Sequence, residues 1–346
     1  MSDILTILHL TPSAQSEDYI RNKRQFHLYG LLTEQRHPKT WNVSFAMQAD
    51  TQAGLNMLLA VDRDISGRLR DLAEEPSLLD QAAQAITEAA GQGRKVYFYG
   101  CGATGRLAKQ MESTFWRPFW HRVCRHPLWA DLQRRLPHDI GELLAGEMTG
   151  ADRALVSSLE GFEDLQLIGR LQLEDHGIRA GDVVICVTEG GETSSVIGTI
   201  LAALNQYGEL NSRRLAEAHR HLYFVYNNPD EVLRPFERSA AVLDQPAITR
   251  VNLTTGPQAI TGSTRMQATT IETFVLGAVL EEAAYRILRR HLRAEELREL
   301  GYSQDLDLGE RLSAFGDIKA DFDIIADDPS LDPGQRRNED DFARNL

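Results

Sequence analysis

The sequence predicts an α/β protein: a three-layer sandwich with a mostly parallel sheet, preceded by helices and followed by a C-terminal helix and an acidic tail. Short apolar runs typical of fully buried strands alternate with helix-length amphipathic patterns. Such alternation requires crossover connections, which place helices on both faces of a parallel sheet. The 346 residues are 42% hydrophobic, which is sufficient for a large core.

Helical patterns come first in the chain. Apolar residues recur at helical spacing from Phe45 to Ile86, so two or more helices precede the first strand. The predicted strands are then, in order, 95–99, 143–145, 183–187, 222–226 and 248–253. The predicted helices between them are 154–173, 194–205 and 215–219, and a closing helix spans about 266–292.

The C-terminal region differs from the rest in composition. Residues 303–346 hold twelve acidic and five basic residues, a net −7 within a formal charge of −13 for the chain. With Pro329, Pro333 and little apolar periodicity, this region is predicted to be partly helical and then loosely ordered, or a linker. The expected organisation is therefore a helical segment at 1–90, a sheet domain at 91–295 and a tail or linker at 296–346.

Charge and composition narrow the expected partners. A net charge of −13 opposes nonspecific binding to a phosphate backbone, so nucleic acid is not expected. The sequence has no run of eighteen apolar residues, and its N-terminus lacks the basic stretch followed by an apolar stretch that is typical of a signal peptide. No membrane contact and no export are therefore expected. The three cysteines are widely spaced, which favours neither a disulfide framework nor a zinc site. We expect a cytoplasmic protein without a metal or cofactor.

The first strand runs into a glycine-rich turn, 100–105, which opens a helix. Gly102 and Gly105 let the backbone approach a ligand, and the helix start offers unpaired N–H groups to an anion. The turn matches the G-x-G-x-x-G dinucleotide fingerprint, but the stretch 116–135 lacks the strand and terminal acidic residue that would bind a ribose. With the hydroxyl of Thr104, the turn better suits a compact phosphate monoester.

Two further loops after predicted strands are rich in hydroxyls. Loop 188–195 carries Thr193 and Ser194, and loop 254–265 ends with Ser263, Thr264 and Arg265. Capping a helix would need only one hydroxyl, so the clusters favour an anion site. Because the carboxyl ends of parallel strands meet at one edge of a sheet, we expect the three loops to be neighbours.

An acidic segment lies between the first two loops. The spacing of Glu160, Glu163 and Asp164 puts them on about one predicted helical turn, broken by Gly161. One interpretation is a solvated helix face. The other is a carboxylate that removes a proton beside a sugar carbonyl.

Together these segments resemble the SIS (sugar isomerase) domain family, in particular the branch that contains the N-acetylmuramic acid 6-phosphate etherases and the glucokinase regulatory protein. The resemblance extends over residues 32–292. Four motifs carry it, namely Leu32-Thr-Glu-Gln-Arg-His-Pro38, the turn at 100–107, Leu159-Glu-Gly-Phe-Glu-Asp164, and Ile260-Thr-Gly-Ser-Thr-Arg-Met266. The last is the most specific.

The resemblance implies an enzyme that acts on a hexose or amino-sugar 6-phosphate by lyase or isomerase chemistry. Glu163 matches the etherase base, and Glu34 is expected to support the site. The expected phosphate ligands are Thr104, Thr193, Ser194 and Ser263, with support from Gly102, Gly105, Thr264 and Arg265. A homodimer with sites near the subunit contact is also implied.

The second etherase acid is missing from its matching position. That position, on the helix after the glycine turn, holds Thr114. Glu112 lies two residues earlier, which is about 200° around an α-helix, so it should not substitute. The two phosphate loops also differ from those of the etherases. This sequence has Gly190 where the etherases have a serine, Glu192 where they have an arginine and Gln267 where they have a lysine.

These departures keep a second reading open: a noncatalytic sensor that binds a sugar phosphate, as the glucokinase regulatory branch does. Members of that branch carry two SIS lobes, and this chain shows one, so the region after Leu300 could begin a second lobe. The segment 116–135, which is rich in Trp and Arg, also has two readings. One interpretation is that it covers a sugar or binds a partner. The other is that its aromatic side chains pack on the core.

Overall fold

The computed structural model describes residue 9 and residues 11–23, 27–157, 159–302 and 306–316. In these ranges five strands form one sheet in the order β2-β1-β3-β4-β5, and every neighbouring pair is parallel. The strands are β1 Val96–Gly100, β2 Leu144–Met148, β3 Val183–Val187, β4 Leu222–Tyr226 and β5 Thr249–Asn252. The predicted α/β sandwich with a parallel sheet is confirmed. The chain order reverses beside β1, so the crevice beyond the ends of β1 and β3 is the topological switch point.

Helices account for most of the remaining described residues. They are α1 Ala14–Asn22, α2 Val43–Ala49, α3 Thr51–Leu59, α4 Arg63–Glu74, α5 Ser77–Gly91, α6 Ala103–Gln110, α7 Arg117–Arg125, α8 Trp129–Leu132, α9 Arg153–Val156, α10 Gln166–Asp175, α11 Ser194–Asn205, α12 Ser212–His221, α13 Asp230–Leu233, α14 Glu237–Leu243, α15 Ala268–Arg289 and α16 Ala294–Glu299. Residues 308–316 are also helical. In the part of the chain that is described, no helix is both long and apolar enough to cross a bilayer.

The two faces of the sheet carry separate hydrophobic clusters because side chains alternate along each strand. Val96 and Phe98 pack with α4, α5 and α15 on one face. Tyr97 and Tyr99 pack with α10, α11 and α14 on the other. The helices that precede β1 therefore build one outer layer of the sandwich together with α15.

The predicted strands at 183–187 and 222–226 are confirmed at both ends. β2 extends three residues beyond the predicted 143–145, because Gly146 and Glu147 interrupt the apolar run without interrupting the pairing to β1. Glu147 stays buried in the sheet through hydrogen bonds from His176 and the Met148 N–H.

The single helix predicted at 154–173 is wrong, since α9 and α10 are separate. α9 ends at Val156, and Gly161 in the connection to α10 has φ +82°, a left-handed conformation that no α-helix contains. Consequently Glu163 and Asp164 lie on a nonhelical connection and do not share a helical turn with Glu160.

The aromatic segment at 116–135 packs on the core. Trp116 and Trp120 are fully buried, and the Trp116 indole N–H donates to the Ile140 carbonyl at 2.9 Å. Their rings meet edge to face. The structure therefore supports the interpretation that the aromatic side chains of this segment pack on the core.

The region after Leu300 begins by packing on the same domain. Leu308 and Leu312 are buried, and the buried guanidinium of Arg311 pairs with Glu281 and Glu282 of α15. The prediction of a loosely ordered tail or linker applies mostly to residues 317–346, which lie outside the described ranges.

Candidate functional site

Loops from three strands meet at the switch point. The Thr149 N–H, after β2, donates to the Gly100 carbonyl at 2.9 Å, and the Thr149 and Ser195 hydroxyls lie 2.9 Å apart. Burial, and then the charges of Glu163 and Glu189, raise the pKa of the Cys101 thiol. The turn at 100–105 and the hydroxyl loop after β3 are therefore neighbours, with the acidic segment beside them.

The glycine turn is fixed by its own threonine. Thr104 is 1% exposed, and its hydroxyl donates to the Cys101 carbonyl at 2.9 Å and accepts from the Cys101 N–H at 3.0 Å. Gly102 precedes α6 with φ +59°, and a Cβ at Gly105 would lie 2.6 Å from Met148 Cγ. The turn thus presents the unpaired N–H groups of the start of α6, with the hydroxyl of Thr104 used inside it.

The loop after β3 leads into α11. The Thr193 hydroxyl lies 2.9 Å from that of Thr188, and the Ser195 N–H donates to the Glu163 carbonyl at 2.8 Å. Ser194 is 8% exposed, and its hydroxyl has no hydrogen-bond partner among the residues described. This loop accordingly holds a free hydroxyl donor at the start of a twelve-residue helix.

The third loop lies against the second. The Ser263 N–H donates to the Ile260 carbonyl at 2.9 Å, and the Thr264 carbonyl accepts from the Thr269 N–H at 3.0 Å. Arg265 is exposed, and together with Thr264 it favours the charged form of Glu189. The buried amide of Gln267 accepts from the Ala259 N–H at 2.9 Å, so this residue holds the loop in place.

Asn228 ties the N-terminal motif to the site. Its side-chain oxygen accepts from the Leu32 N–H at 2.7 Å, and its amide donates to the Thr33 hydroxyl at 3.0 Å and the Gly190 carbonyl at 2.8 Å. Glu34 follows directly, and a Cβ built on Gly262 would lie 3.5 Å from its Oε2. The motif that holds Glu34 thus reaches both the second and the third loop.

Glu163 is an exposed carboxylate at the mouth of this arrangement. Partial desolvation, then the charges of Asp164 and Glu160, raise its pKa. A carboxylate with a raised pKa is a stronger base than an ordinary glutamate. The Cys101 thiol lies close enough to respond to its charge.

Part of the helix after the glycine turn is not the α-helix that the sequence predicted. Residues Met111–Trp116 form a π-helix, so the 200° spacing expected between Glu112 and Thr114 does not apply. Glu112 is nevertheless engaged elsewhere, because it accepts the Gly146 N–H at 2.8 Å and pairs with Arg117 at 2.5 Å. The exposed Thr114 hydroxyl donates to the carbonyl of Gln110 at 2.7 Å.

Sequence reasoning missed a pair of carboxylates inside the site. Glu189 accepts from the Thr269 hydroxyl at 3.1 Å, and the fully buried Glu272 accepts from the Asn227 amide at 2.6 Å. Burial raises the pKa of both, and the charge of Glu189 raises that of Glu272 further. The sequence signal that could have revealed Glu272 is its position on α15 between the apolar residues Ile271 and Val275, which are both buried.

Within the described ranges, no three His, Cys, Asp or Glu side chains are grouped so that they could hold a metal ion. The polar groups that meet at the switch point are hydroxyls, carboxylates, backbone N–H groups and one arginine. These are groups that bind a small polar anion and transfer protons.

No protein-family model matches the chain. An N-acetylmuramic acid 6-phosphate etherase of Prochlorococcus marinus (strain MIT 9303) is 27% identical over 261 residues, which is 74% of this chain and 67% of that protein. The etherase of Picosynechococcus sp. (strain ATCC 27264 / PCC 7002 / PR-6) is 29% identical over 71% of the chain and 66% of its own length. That of Yersinia pestis (strain Pestoides F) is 28% identical over 75% of the chain and 72% of its own length. The chain is thus similar to N-acetylmuramic acid 6-phosphate etherases across about three quarters of its length.

Proposed function

We propose that this protein is a SIS-type enzyme that processes a hexose or amino-sugar 6-phosphate by lyase or isomerase chemistry. The similarity to etherases supports a phosphosugar-processing enzyme. The observation that carries the proposal is the position of Glu163, whose carbonyl accepts the Ser195 N–H at 2.8 Å beside the hydroxyl loop. This bond fixes the backbone of a candidate base next to a candidate phosphate site.

The phosphate group is proposed to bind where α6 and α11 begin. Helix starts provide unpaired N–H groups and a positive dipole end, both of which favour an anion. Ser194, Thr193, Ser263 and Thr264 add hydroxyl donors, and Arg265 adds a positive charge from the third loop. Thr104 contributes by fixing the turn around Gly102 and Gly105 rather than by donating to the ligand.

Glu163 is proposed to remove the proton from the carbon beside the carbonyl of the open-chain sugar. Isomerisation and ether elimination both begin with this step. A positioned general base contributes about 10²–10⁴-fold to the rate. Glu34, close to Gly262, is proposed to accept hydrogen bonds from sugar hydroxyls.

A homodimer is part of the proposal. Trp41 and Phe45 are 59% and 72% exposed, and Leu55 on the next helix is also exposed. These apolar side chains follow directly on the segment that holds Glu34. A second copy that covers them would shield the site mouth, which is consistent with catalytic sites near a subunit contact.

The engagement of Glu112 by Gly146 and Arg117 favours a second candidate, a sensor that binds a sugar phosphate without converting it. In that case the helix after the glycine turn supplies no acid to a leaving group. The sensor would share the phosphate loops and lack turnover.

Purified protein incubated with N-acetylmuramic acid 6-phosphate, and separately with fructose 6-phosphate, tests the proposal by release of lactate or appearance of an isomer. Glu163→Gln should abolish turnover, and Glu231→Gln, an exposed residue on α13, should not change it. Thermal stabilisation by a substrate without turnover would reject the enzyme in favour of the sensor. Turnover that survives Glu163→Gln would reject Glu163 as the base.

A further inference from the structure

Glu272 is the carboxyl group most completely removed from water near the site. Its side chain is 0% exposed, as is that of Asn227, and the Asn227 amide donates to its Oε1 at 2.6 Å. Among the described residues, Glu272 Oε2 and Asn227 Oδ1 are buried without a hydrogen-bond partner. Two acceptors that both lack a donor, on side chains already joined by one hydrogen bond, point to a missing proton.

A proton on Glu272 Oε2 supplies that donor. Donation of that proton to Asn227 Oδ1, beside the existing bond from the Asn227 amide to Glu272 Oε1, would satisfy both orphaned oxygens. An ionised Glu272 would instead be a buried charge facing the carboxyl group of Glu189, with no cation beside it in the described structure. Glu272 is therefore neutral in the folded protein.

Glu189 is joined by hydrogen bonds to the elements that hold Glu272: its carbonyl accepts the Asn227 N–H at 3.0 Å, and its carboxylate accepts from the Thr269 hydroxyl, one turn before Glu272, at 3.1 Å. Its neighbours come from three elements: the Cys101 thiol on the glycine turn, Arg265 and the Thr264 hydroxyl on the third loop, and Thr269 with Glu272 on α15. Burial favours the protonated form of Glu189, whereas the hydroxyls and Arg265 stabilise its carboxylate. A group balanced in this way can release a proton and remain stable afterwards.

We propose that Glu189 is the second catalytic acid of this protein, opposite Glu163, and that Glu272 is the residue that positions it. The inference rests on the proposed function. Glu189 lies at the start of the loop that ends at Ser195, and the Ser195 N–H donates to the Glu163 carbonyl at 2.8 Å, so the two glutamates lie on neighbouring loops at the switch point. This places the acid on the loop after β3 rather than on the helix that carries Thr114.

In an elimination, Glu163 takes the proton from the carbon beside the carbonyl, and the freed electron pair forms a carbon–carbon double bond. The carbon–oxygen bond on the next carbon breaks, and the departing oxygen takes the proton of Glu189. Water then adds, giving one proton to Glu189 and its hydroxyl to the double bond, while Glu163 returns the proton to carbon.

In an isomerisation, the carbonyl oxygen takes the Glu189 proton and an enediol forms. The proton on the neighbouring hydroxyl returns to Glu189, while Glu163 protonates the other carbon. In both reactions each glutamate ends in the state in which it began, and no co-reactant other than water is needed.

The test compares wild type, Glu189→Gln and the matched control Glu174→Gln, an exposed glutamate on α10, on both substrates named above. Glu189→Gln should lower kcat by about 10²–10⁴-fold while KM changes little. The wild-type kcat should fall as the pH rises and Glu189 loses its proton, and residual Glu189→Gln activity should lack this alkaline decrease. Infrared difference spectra against Glu189→Gln should show a protonated carboxyl group at the pH values where wild type turns over substrate.

The outcomes separate the two claims. Wild-type turnover with an unaffected Glu189→Gln variant would overturn the acid role and leave the proposed function standing. Absence of turnover by wild type on either substrate would reject the proposed function and the acid role together. Absence of the infrared signal would overturn the protonated state of Glu189 whatever the kinetics show, and preserved folding of the variant is checked by its thermal unfolding.

Discussion

The backbone N–H of Ser195, in the first turn of α11, donates to the carbonyl of Glu163 at 2.8 Å. The bond joins the acidic connection between α9 and α10 to the hydroxyl loop after β3. Because it is made by backbone atoms, it sets the position of the Glu163 backbone while its side chain stays exposed. The proposed base and the proposed anion site are therefore held in one relative position by a main-chain contact.

Asp164→Asn should shift the acidic limb of the pH–rate profile to lower pH. A base must be deprotonated, so activity is lost as the pH falls through the pKa of Glu163, which desolvation and then Asp164 raise. Removing the charge of Asp164 lowers that pKa, so activity persists to lower pH. The measurement is kcat/KM against pH, with Asp175→Asn as an exposed control; a shift to higher pH would contradict the assignment.

Glu272→Gln should flatten the dependence of stability on pH. Burial raises the folded-state pKa of Glu272, so the folded protein holds more protons than the unfolded chain above the unfolded pKa. Stability is then complete below the unfolded pKa and decreases as the pH rises towards the folded pKa. Glutamine can still bond Asn227 and cannot ionise. Denaturant unfolding measured from acidic to alkaline pH checks this, and parallel curves for the two proteins would contradict it.

Gly198→Ala should destabilise the protein by about 1–3 kcal/mol because of overpacking. A Cβ at Gly198 would lie 2.3 Å from the Gln166 carbonyl oxygen, where α11 crosses α10. The matched control is Gly67→Ala on α4, where a Cβ meets no atom within 4 Å. That change should stabilise by about 0.4–1 kcal/mol because alanine restricts the unfolded chain. Equal effects in urea unfolding would refute the packing argument.

Asn228→Ala should destabilise the protein by about 1–3 kcal/mol and raise KM. The substitution leaves the Leu32 N–H, the Thr33 hydroxyl and the Gly190 carbonyl without their shared partner. The N-terminal motif then loses its attachment beside the second loop. Asn56→Ala, which removes a surface contact with Gln52, should stay within about 0.5 kcal/mol of wild type. An unchanged KM would contradict a role of this segment in binding.

Phe45→Glu should convert the proposed homodimer to a monomer. The phenyl ring is 72% exposed in the single chain, and burying a carboxylate at a subunit contact is unfavourable. Light scattering measures the mass, with the exposed Gln133→Glu, outside the proposed contact surface, as the control. A monomeric wild type, or a dimeric Phe45→Glu variant, would reject this contact surface.

The sequence predicted the sheet well because buried parallel strands are short apolar runs, here separated by polar or glycine-rich loops. β3 and β4 were predicted at both ends for this reason. The error at 154–173 arose because apolar spacing continues across Gly161, and the positive φ of this glycine is visible only in the structure. The π-helix at Met111–Trp116 was equally invisible, since its residues do not differ in type from those of an α-helix.

The candidate site was predictable where it follows strand ends and hidden where it depends on burial. Thr193, Ser194 and Ser263 follow buried strands, so topology alone predicted that their loops are neighbours. The internal bonding of Thr104 and the isolation of Glu272 depend on which side chains close over them. Such three-dimensional enclosure leaves no local pattern in a sequence.

The central claim is that Glu163 removes a proton from a bound sugar phosphate. Incubation of fructose 6-phosphate and N-acetylmuramic acid 6-phosphate in D₂O, followed by proton NMR, detects exchange at the carbon beside the carbonyl even when later steps are slow. The account predicts exchange with wild type and with Glu231→Gln, and none with a Glu163→Gln variant that still binds the sugar. Exchange at the wild-type rate in Glu163→Gln would contradict it.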